Sequence, residues 1–310
     1  MTPAVAAGAG AALVLVNRRA RGAPALEPAI VAALPALAPG ARWFASPSVD
    51  DARGAVAALP RGARVVVVGG DGTLHQLLPA LLAGGHELGI VPAGSGDDAA
   101  RAFGLRALPW RDALRLALTG RSSAVDVGEL RTVHGARPFV SSLCTGFDAA
   151  VSARALRMPR GVGGLPRYLL ATLAEIAHLR RHRLHVRVDD TPTFDGEVLF
   201  ASVVNTPTYG GGMPIAPPAS IDDGRLDLVV AGRFGRTGAL AMLPRLLLGR
   251  HLNHARVRHA SFTTLRIEAD APLPMAADGE VLPSASTVEV AVAPAALRVV
   301  TAASPPHGAA

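Results

Sequence analysis

The chain has 310 residues, a formal net charge of +7 from 31 Lys+Arg against 24 Asp+Glu, and half of its residues are hydrophobic. Every basic residue in that count is Arg, which excludes mechanisms built on a P-loop lysine or a lysine Schiff base. Cys144 is the only cysteine, so neither an intrachain disulfide nor a cysteine-based zinc cluster is available.

The opening apolar run, residues 4–16, is followed rather than preceded by its positive charges, Arg18, Arg19 and Arg21. A secretory signal has the reverse order, so the run reads as a disordered start leading into a buried strand at 12–16. No stretch approaches the roughly 20 uninterrupted apolar residues of a spanning helix, and a cytoplasmic protein is expected. The excess of Arg favours anionic partners such as nucleotides or an acidic membrane surface. Nucleic acid ranks lower, because no basic run is interleaved with aromatics.

Residues 12–16, 42–45, 64–68 and 88–91 read as strands, and 26–37, 50–59, 74–82 and 110–118 as helices between them. Strands apolar along their whole length and separated by helices predict a parallel sheet covered on both faces, a doubly wound α/β domain over 1–121. From residue 122 strand-like segments follow one another, at 124–130, 139–143, 184–188, 198–204, 226–231, 264–268, 288–292 and 297–300. Helical stretches at 165–179 and 237–248 interrupt them. Turn signals at Asp195-Gly196, Asp223-Gly224 and Asp278-Gly279 complete the pattern of an antiparallel β-sandwich domain over 122–303, with 304–310 a disordered tail.

Strand 64–68 runs through Gly69-Gly70-Asp71-Gly72-Thr73 into a helix. Bare amides at such a junction hold phosphate, the glycines allow close approach, Thr73 offers a hydroxyl, and Asp71 can hold Mg²⁺. Any tight strand-to-helix turn also collects Gly and Asp, so this loop alone decides nothing. A second loop, Pro92-Ala93-Gly94-Ser95-Gly96-Asp97-Asp98, follows strand 88–91 and precedes a helix at 99–103, and Asn17 ends the first strand. Parallel strands put all three at one sheet edge, as expected of a single phosphate ligand.

These residues resemble the diacylglycerol kinase-like lipid kinases, which include bacterial lipid kinases and sphingosine kinases. The resemblance runs over nearly the whole chain: the Gly69–Thr73 loop, Pro92 to Arg101, Thr145-Gly146-Phe147-Asp148, Tyr209-Gly210-Gly211-Gly212-Met213, Ile215-Ala216-Pro217, Asp222 to Asp227, Gly249-Arg250-His251 and Asp278-Gly279-Glu280. It implies ATP and Mg²⁺, transfer of the γ-phosphoryl group to a lipid hydroxyl, most simply that of a diacylglycerol-like substrate, and peripheral, transient contact with the inner face of a membrane. A homodimer is left open.

Residue by residue, the resemblance assigns nucleotide contacts to Asn17 through Gly22, to Ser46 where the family usually has Thr, to Gly69, Gly70, Asp71, Gly72, Thr73 and His75, and to Ser95 with its neighbours Gly94 and Gly96. Asp278 matches the family's catalytic base and Glu280 its nucleotide or metal partner, with Asp71 in the same catalytic group. Asp223 matches a structural Mg²⁺ ligand, with the carbonyls of Ser220 and Arg225 as co-ligands. Asp-Gly is also an ordinary hairpin turn, and Asp195-Gly196-Glu197 is read as one, joining strands 184–188 and 198–204.

The sequence departs from the family pattern where Arg18 follows Asn17, where Arg21 replaces Gly, and where His75 and Asp97 replace Asn. Asp97 would set a negative charge beside a polyanion. Two other functions compete: a soluble nucleotide kinase of the NAD kinase type, which shares only the first Gly-rich loop, and a nucleotide or lipid sensor with weakened catalysis.

Overall fold

Residues 12–159 and 163–302 are described by a computed structural model, which divides into two compact units. The first comprises the described residues up to Val125 together with those from Ala295 onward; the second is Asp126–Pro294. The disordered start and the disordered tail expected at 304–310 lie outside the described residues, apart from the strand that ends the opening run.

In the first unit, strands β1 (Leu13–Asn17), β2 (Arg42–Ser46), β3 (Arg64–Gly69) and β4 (Glu87–Pro92) alternate with helices α1 (Ala23–Leu37), α2 (Val49–Ala57) and α3 (Asp71–Gly84), and the short α4 (Asp98–Ala102) and α5 (Trp110–Thr119) follow β4. The strands pair in parallel in the order β2-β1-β3-β4. Val65, Val66, Val67 and Val68 are all fully buried, because alternate side chains enter opposite faces and helices cover both. One face is filled by Val14, Val16, Val66, Val68 and Val91 against Ile30 and Leu34 of α1 and Leu114 of α5.

The second unit starts within β5 (Ser122–Thr132), and β6 (Gly135–Phe139), β7 (Ser142–Thr145), α6 (Phe147–Arg157) and α7 (Gly164–Ile176) follow. It continues through β8 (His182–Val188), β9 (Thr191–Val198), β10 (Phe200–Val204), β11 (Leu226–Ala231), α8 (Arg236–Leu247), β12 (Val257–Phe262) and β13 (Thr264–Ala277) into β14 (Glu280–Val300). Its central order is β12-β11-β10-β7-β13-β14, antiparallel throughout. In β11, Leu226, Leu228 and Val230 belong to the sandwich core, whereas Val229 and Ala231 pack with α6, α7 and α8. A strand buried on both faces explains the unbroken apolar run at 226–231.

Four local expectations are corrected. The strand expected at 139–143 is two strands, because the chain breaks at Val140-Ser141 between β6 and β7. The hairpin expected at Asp195-Gly196 sits at Asp189-Asp190, whose positive φ of 45° and 62° forms the tight turn, while Asp195 and Gly196 lie within β9. The strands expected at 288–292 and 297–300 belong to one long β14, bent at Ala295 with φ 53°; beyond the bend Arg298 and Val299 pair in parallel with Glu87 and Leu88 of β4. Helix α6 and edge strand β12 were not anticipated.

Candidate nucleotide and catalytic sites

Within the first unit the C-terminal ends of β1, β3 and β4 are level, with Val16 opposite Val68 and Gly69 opposite Pro92. Backbone bonds stitch the loops beyond them together: the Gly22 amide donates to the Ala93 carbonyl at 2.9 Å, and the Ala93 amide to the Gly69 carbonyl at 2.9 Å. Asn17 Nδ2 donates to Thr73 Oγ1 at 2.7 Å, fixing the hydroxyl at the start of α3. Gly70 is the N-cap of α3 with extended backbone, so the helix opens directly from the glycines and its first-turn amides project from its positive end.

Asp71 has a structural task as well. Its Oδ2 accepts from the Asp98 amide and its Oδ1 from the Ala99 amide, both at 3.1 Å, tying α3 to the start of α4. Ser46 is buried with its hydroxyl donated to the Ser48 carbonyl, and Ser48 in turn caps α2. Arg18 is held in a two-pronged pair with Glu27, at 2.6 and 2.8 Å. His75 is buried on α3, and Ser95 and Gly96 are half-buried in the β4–α4 loop.

Asp97 is 3% exposed, with left-handed backbone at φ 51°. Its Oδ1 accepts from the Gly94 amide at 3.0 Å, and Arg106 lies 3.7 Å from its Oδ2. Burial first, and the Asp71 charge second, push its carboxyl up from 3.8 to about 6, against the pull of Arg106, the Gly94 amide and Arg101. A raised acid binds protons in the folded state that the unfolded chain releases. The protein therefore loses stability as pH rises from about 4 through about 6, and regains it on acidification. Asparagine keeps the acceptor for Gly94 and tolerates positive φ. Asp97→Asn is expected to raise unfolding free energy by roughly 1–3 kcal/mol at about pH 8, with the gain vanishing near pH 4. Urea midpoints at the two pH values test this; an equal gain at both would assign it to something other than the charge.

In the second unit, Asp278-Gly279 is the two-residue turn joining β13 to β14, with φ of 47° and 85° and Ala277 paired to Glu280. The turn does more than reverse the chain. Asp278 is 7% exposed, and its carboxylate collects three main-chain donors from the break between β6 and β7: Ser141 N to Oδ1 at 2.7 Å, Ser142 N to Oδ1 at 3.1 Å and Val140 N to Oδ2 at 3.1 Å. The Asp278 amide returns a bond to the Ser142 carbonyl at 2.8 Å. Glu280 opens β14, half-buried. Sequence reading missed the amides of Val140, Ser141 and Ser142; no side-chain signal marks a donor that belongs to the main chain. Asp195, by contrast, is exposed and pairs with Arg183 at 2.9 Å.

The turn carrying Asp223 is tied back into the fold. Gly224 donates to Asp126 Oδ2 at 2.7 Å, Arg225 N to Asp223 Oδ1 at 3.0 Å, and Ser220 Oγ to Asp222 at 2.7 Å. Burial and the nearby charges of Asp227 and Asp126 push the Asp223 carboxyl upward, opposed by the Arg225 amide and charge. This local surplus of negative charge fits a divalent cation. Among the described residues no group of three or more His, Cys, Asp or Glu side chains is arranged to hold a metal. A cation here would rest on one carboxylate, carbonyls of the Ser220–Arg225 turn and water, a donor set that suits Mg²⁺.

Asp148, in the Thr145–Asp148 motif, is buried in the first turn of α6, where Ser202 Oγ and Tyr209 Oη each donate to its Oδ2 at 2.8 Å. Burial pushes its carboxyl up to about 6 against these two bonds. The motif thus anchors the helical layer to β10 and to the Tyr209–Met213 loop.

Residues 11–130 match the family model of the diacylglycerol kinase catalytic domain, and residues 141–301 that of the YegS C-terminal NAD kinase beta sandwich-like domain. A diacylglycerol kinase of Mycobacterium tuberculosis is 34% identical over 248 residues, covering 79% of this chain and 77% of its own length. A diacylglycerol kinase of Bacillus subtilis is 25% identical over 221 residues, 70% of each chain. A solved diacylglycerol kinase from Bacillus anthracis superposes with a TM-score of 0.73 over 95% of this chain and 97% of that one, at 16% identity, a likeness of fold.

Proposed function

The chain belongs to the diacylglycerol kinase family of lipid kinases, and from that premise we propose that it transfers the γ-phosphoryl group of ATP to the hydroxyl of a diacylglycerol-like lipid at the inner face of a membrane. The observation that carries the nucleotide half of this reading is the stitched junction of three strand ends, where Gly22, Gly69, Gly70 and Gly94 bring main chain against main chain. A surface of amides and a helix N-terminus suits polyphosphate better than any uncharged ligand.

In this reading Asn17, the Thr73 hydroxyl and the amides at Gly70–Gly72 and Ser95–Gly96 hold the triphosphate, with Ser46 beside them and Asp71 keeping the two loops in register; the Thr73 and Gly94 amides are engaged within the loops, by the Gly70 carbonyl and the Asp97 carboxylate. Asp278 takes the proton of the acceptor hydroxyl as it attacks, with Glu280, two residues on, supporting nucleotide or metal. Mg²⁺, when bound, neutralises phosphate charge that the nucleophile must approach. The Asp223 turn, with the carbonyls of Ser220 and Arg225, would hold a second, structural Mg²⁺. Phosphoryl transfer asks chiefly for positioning and charge neutralisation, which rigid loops and a pre-oriented carboxylate supply.

Incubation with Mg-ATP and a bacterial lipid extract is expected to label a lipid with wild type and with Asp195→Asn, and not with Asp278→Asn. Absence of label from any lipid, or NADP formation from NAD, would sink the proposal. The burial of Asp97 beside Asp71 favours one second reading, a nucleotide sensor with slow turnover; it predicts ATP binding that persists while wild type and Asp278→Asn are equally inert.

A further inference from the structure

The carboxylate of Asp278 is aimed by main-chain amides, and what aims those amides lies one residue past the end of β10. Asn205 is 1% exposed. Its backbone amide donates to the Ser141 carbonyl at 2.9 Å, and its Nδ2 donates to the carbonyls of Val140 at 2.9 Å and Asp126 at 2.8 Å. Two facing carbonyl oxygens fix which end of the carboxamide is nitrogen, since the flipped group would set oxygen against oxygen. All of these residues belong to the second unit.

A peptide group is planar and trans, so its C=O and the N–H of the next residue point in opposite directions from one rigid plate. The Val140 carbonyl shares its plate with the Ser141 amide, and the Ser141 carbonyl shares its plate with the Ser142 amide. Those are the two amides that Asp278 Oδ1 accepts, at 2.7 and 3.1 Å. Asn205 therefore holds the far edge of both plates whose near edges hold the carboxylate. Strand pairing does not supply this hold, because β6 ends at Phe139 and β7 begins at Ser142. Thr206 adds a lesser tie, its hydroxyl 2.8 Å from Ser141 Oγ.

The hold comes at a cost. Asn205 Oδ1 is buried and meets no donor among the described residues, and a buried acceptor left unsatisfied lowers stability. What the residue returns is the fixed angle of two peptide plates. We infer that Asn205 is a positioning residue for Asp278: it sets the direction of the Ser141 and Ser142 amides, and through them the angle at which the carboxylate meets the acceptor hydroxyl. The catalytic consequence rests on the proposed kinase reading; the hold on the two amides is measurable without it.

The test compares Asn205→Ala and Thr206→Val with Val290→Ala, which thins the sandwich core away from the turn. Asn205→Ala should lower kcat for lipid phosphorylation about 10–100-fold, with KM for ATP and for the acceptor within about twofold of wild type. Thr206→Val should lower kcat about threefold, and Val290→Ala should leave it unchanged wherever all three are folded. In the Asp278→Asn background the Asn205→Ala loss should shrink below about threefold, because a residue that acts through the carboxylate has nothing left to act on. An undiminished loss there, or a kcat for Asn205→Ala within about threefold of wild type, would overturn the inference. Amide hydrogen exchange reads the same geometry with neither ATP nor lipid present. Ser141 and Ser142 should lose protection at least about tenfold in Asn205→Ala and keep it in Val290→Ala. Unchanged protection would overturn the inference even where lipid is labelled, whereas a wild type that labels no lipid, with the exchange pattern intact, removes the kinase reading alone. Should Asn205→Ala fail to fold, Thr206→Val carries the same comparisons, and full wild-type kcat and protection in that variant would count against the inference.

Discussion

Asp278→Asn is expected to lower kcat for lipid phosphorylation by about 10²–10⁴-fold, the span associated with a positioned general base, while leaving nucleotide affinity close to wild type. The substitution is unusually clean at the backbone, because Asn accepts the positive φ of 47° that this turn position demands. Its Oδ1 can keep the Ser141 and Ser142 amides that Asp278 Oδ1 holds at 2.7 and 3.1 Å. The Nδ2 group then meets the Val140 amide, which now donates to Oδ2, and a donor faces a donor. That mismatch costs about 1–3 kcal/mol and should show as a melting point a few degrees lower. Loss of activity far beyond what partial unfolding allows, with the protein still folded at the assay temperature, identifies chemistry rather than stability. A kcat within tenfold of wild type would remove Asp278 from the base role.

The physics behind this prediction also explains why Asp278 was legible and its surroundings were not. Asp-Gly between two strand-like runs marks a two-residue turn, and its place in the ordered series of motifs distinguishes Asp278 from Asp195. What orients the carboxylate is a break in a neighbouring strand, and Phe139-Val140-Ser141-Ser142-Leu143 carries no breaker to announce one. The buried side chains of Phe139, Val140 and Leu143 satisfy strand patterning on either side of the break.

Other elements divide along the same line. The parallel sheet was readable because Val65–Val68 is apolar at every position, which only a strand covered on both faces requires. Strand β12, with exposed Arg258 and His259, pairs with β11 at the sheet edge, where burial leaves little pattern. Helix α6 hides in an Ala-rich composition that blurs periodicity everywhere in the chain. The return of residues beyond Ala295 to pair with β4 is a long-range fact, set by a bend at one alanine, and linear reading offers no warrant for it.

Gly70→Ala is expected to pry the two Gly-rich loops apart, as would Gly94→Ala from the other side of the same contact. A Cβ at Gly70 would lie 2.7 Å from Gly94 Cα, so the obstacle is main chain and cannot rotate away. Gly94 is bound in its turn by the Asp97 carboxylate and Gly69 by the Ala93 amide, and the two loops must separate to admit the methyl. Overpacking of this kind costs about 1–3 kcal/mol in stability. On the proposed nucleotide reading the functional cost is larger, because amides displaced by about 1 Å from the phosphate forfeit around 10²-fold. Gly69→Ala provides the graded comparison: its Cβ would meet Thr73 Oγ1 at 2.8 Å, the movable end of a side chain. Rotation of Thr73 moves Oγ1 away at the expense of the Asn17–Thr73 bond, about 1 kcal/mol, and a small shift of the start of α3 must relieve the Thr73 Cβ contact at 3.0 Å, so the affinity loss should be nearer tenfold. Nucleotide titrations of the two variants, alongside their urea midpoints, read both effects. If Gly70→Ala binds nucleotide as wild type does, the backbone junction of β3 and β4 loops is not where the triphosphate sits, because no phosphate cradle survives being pried apart at its tightest point.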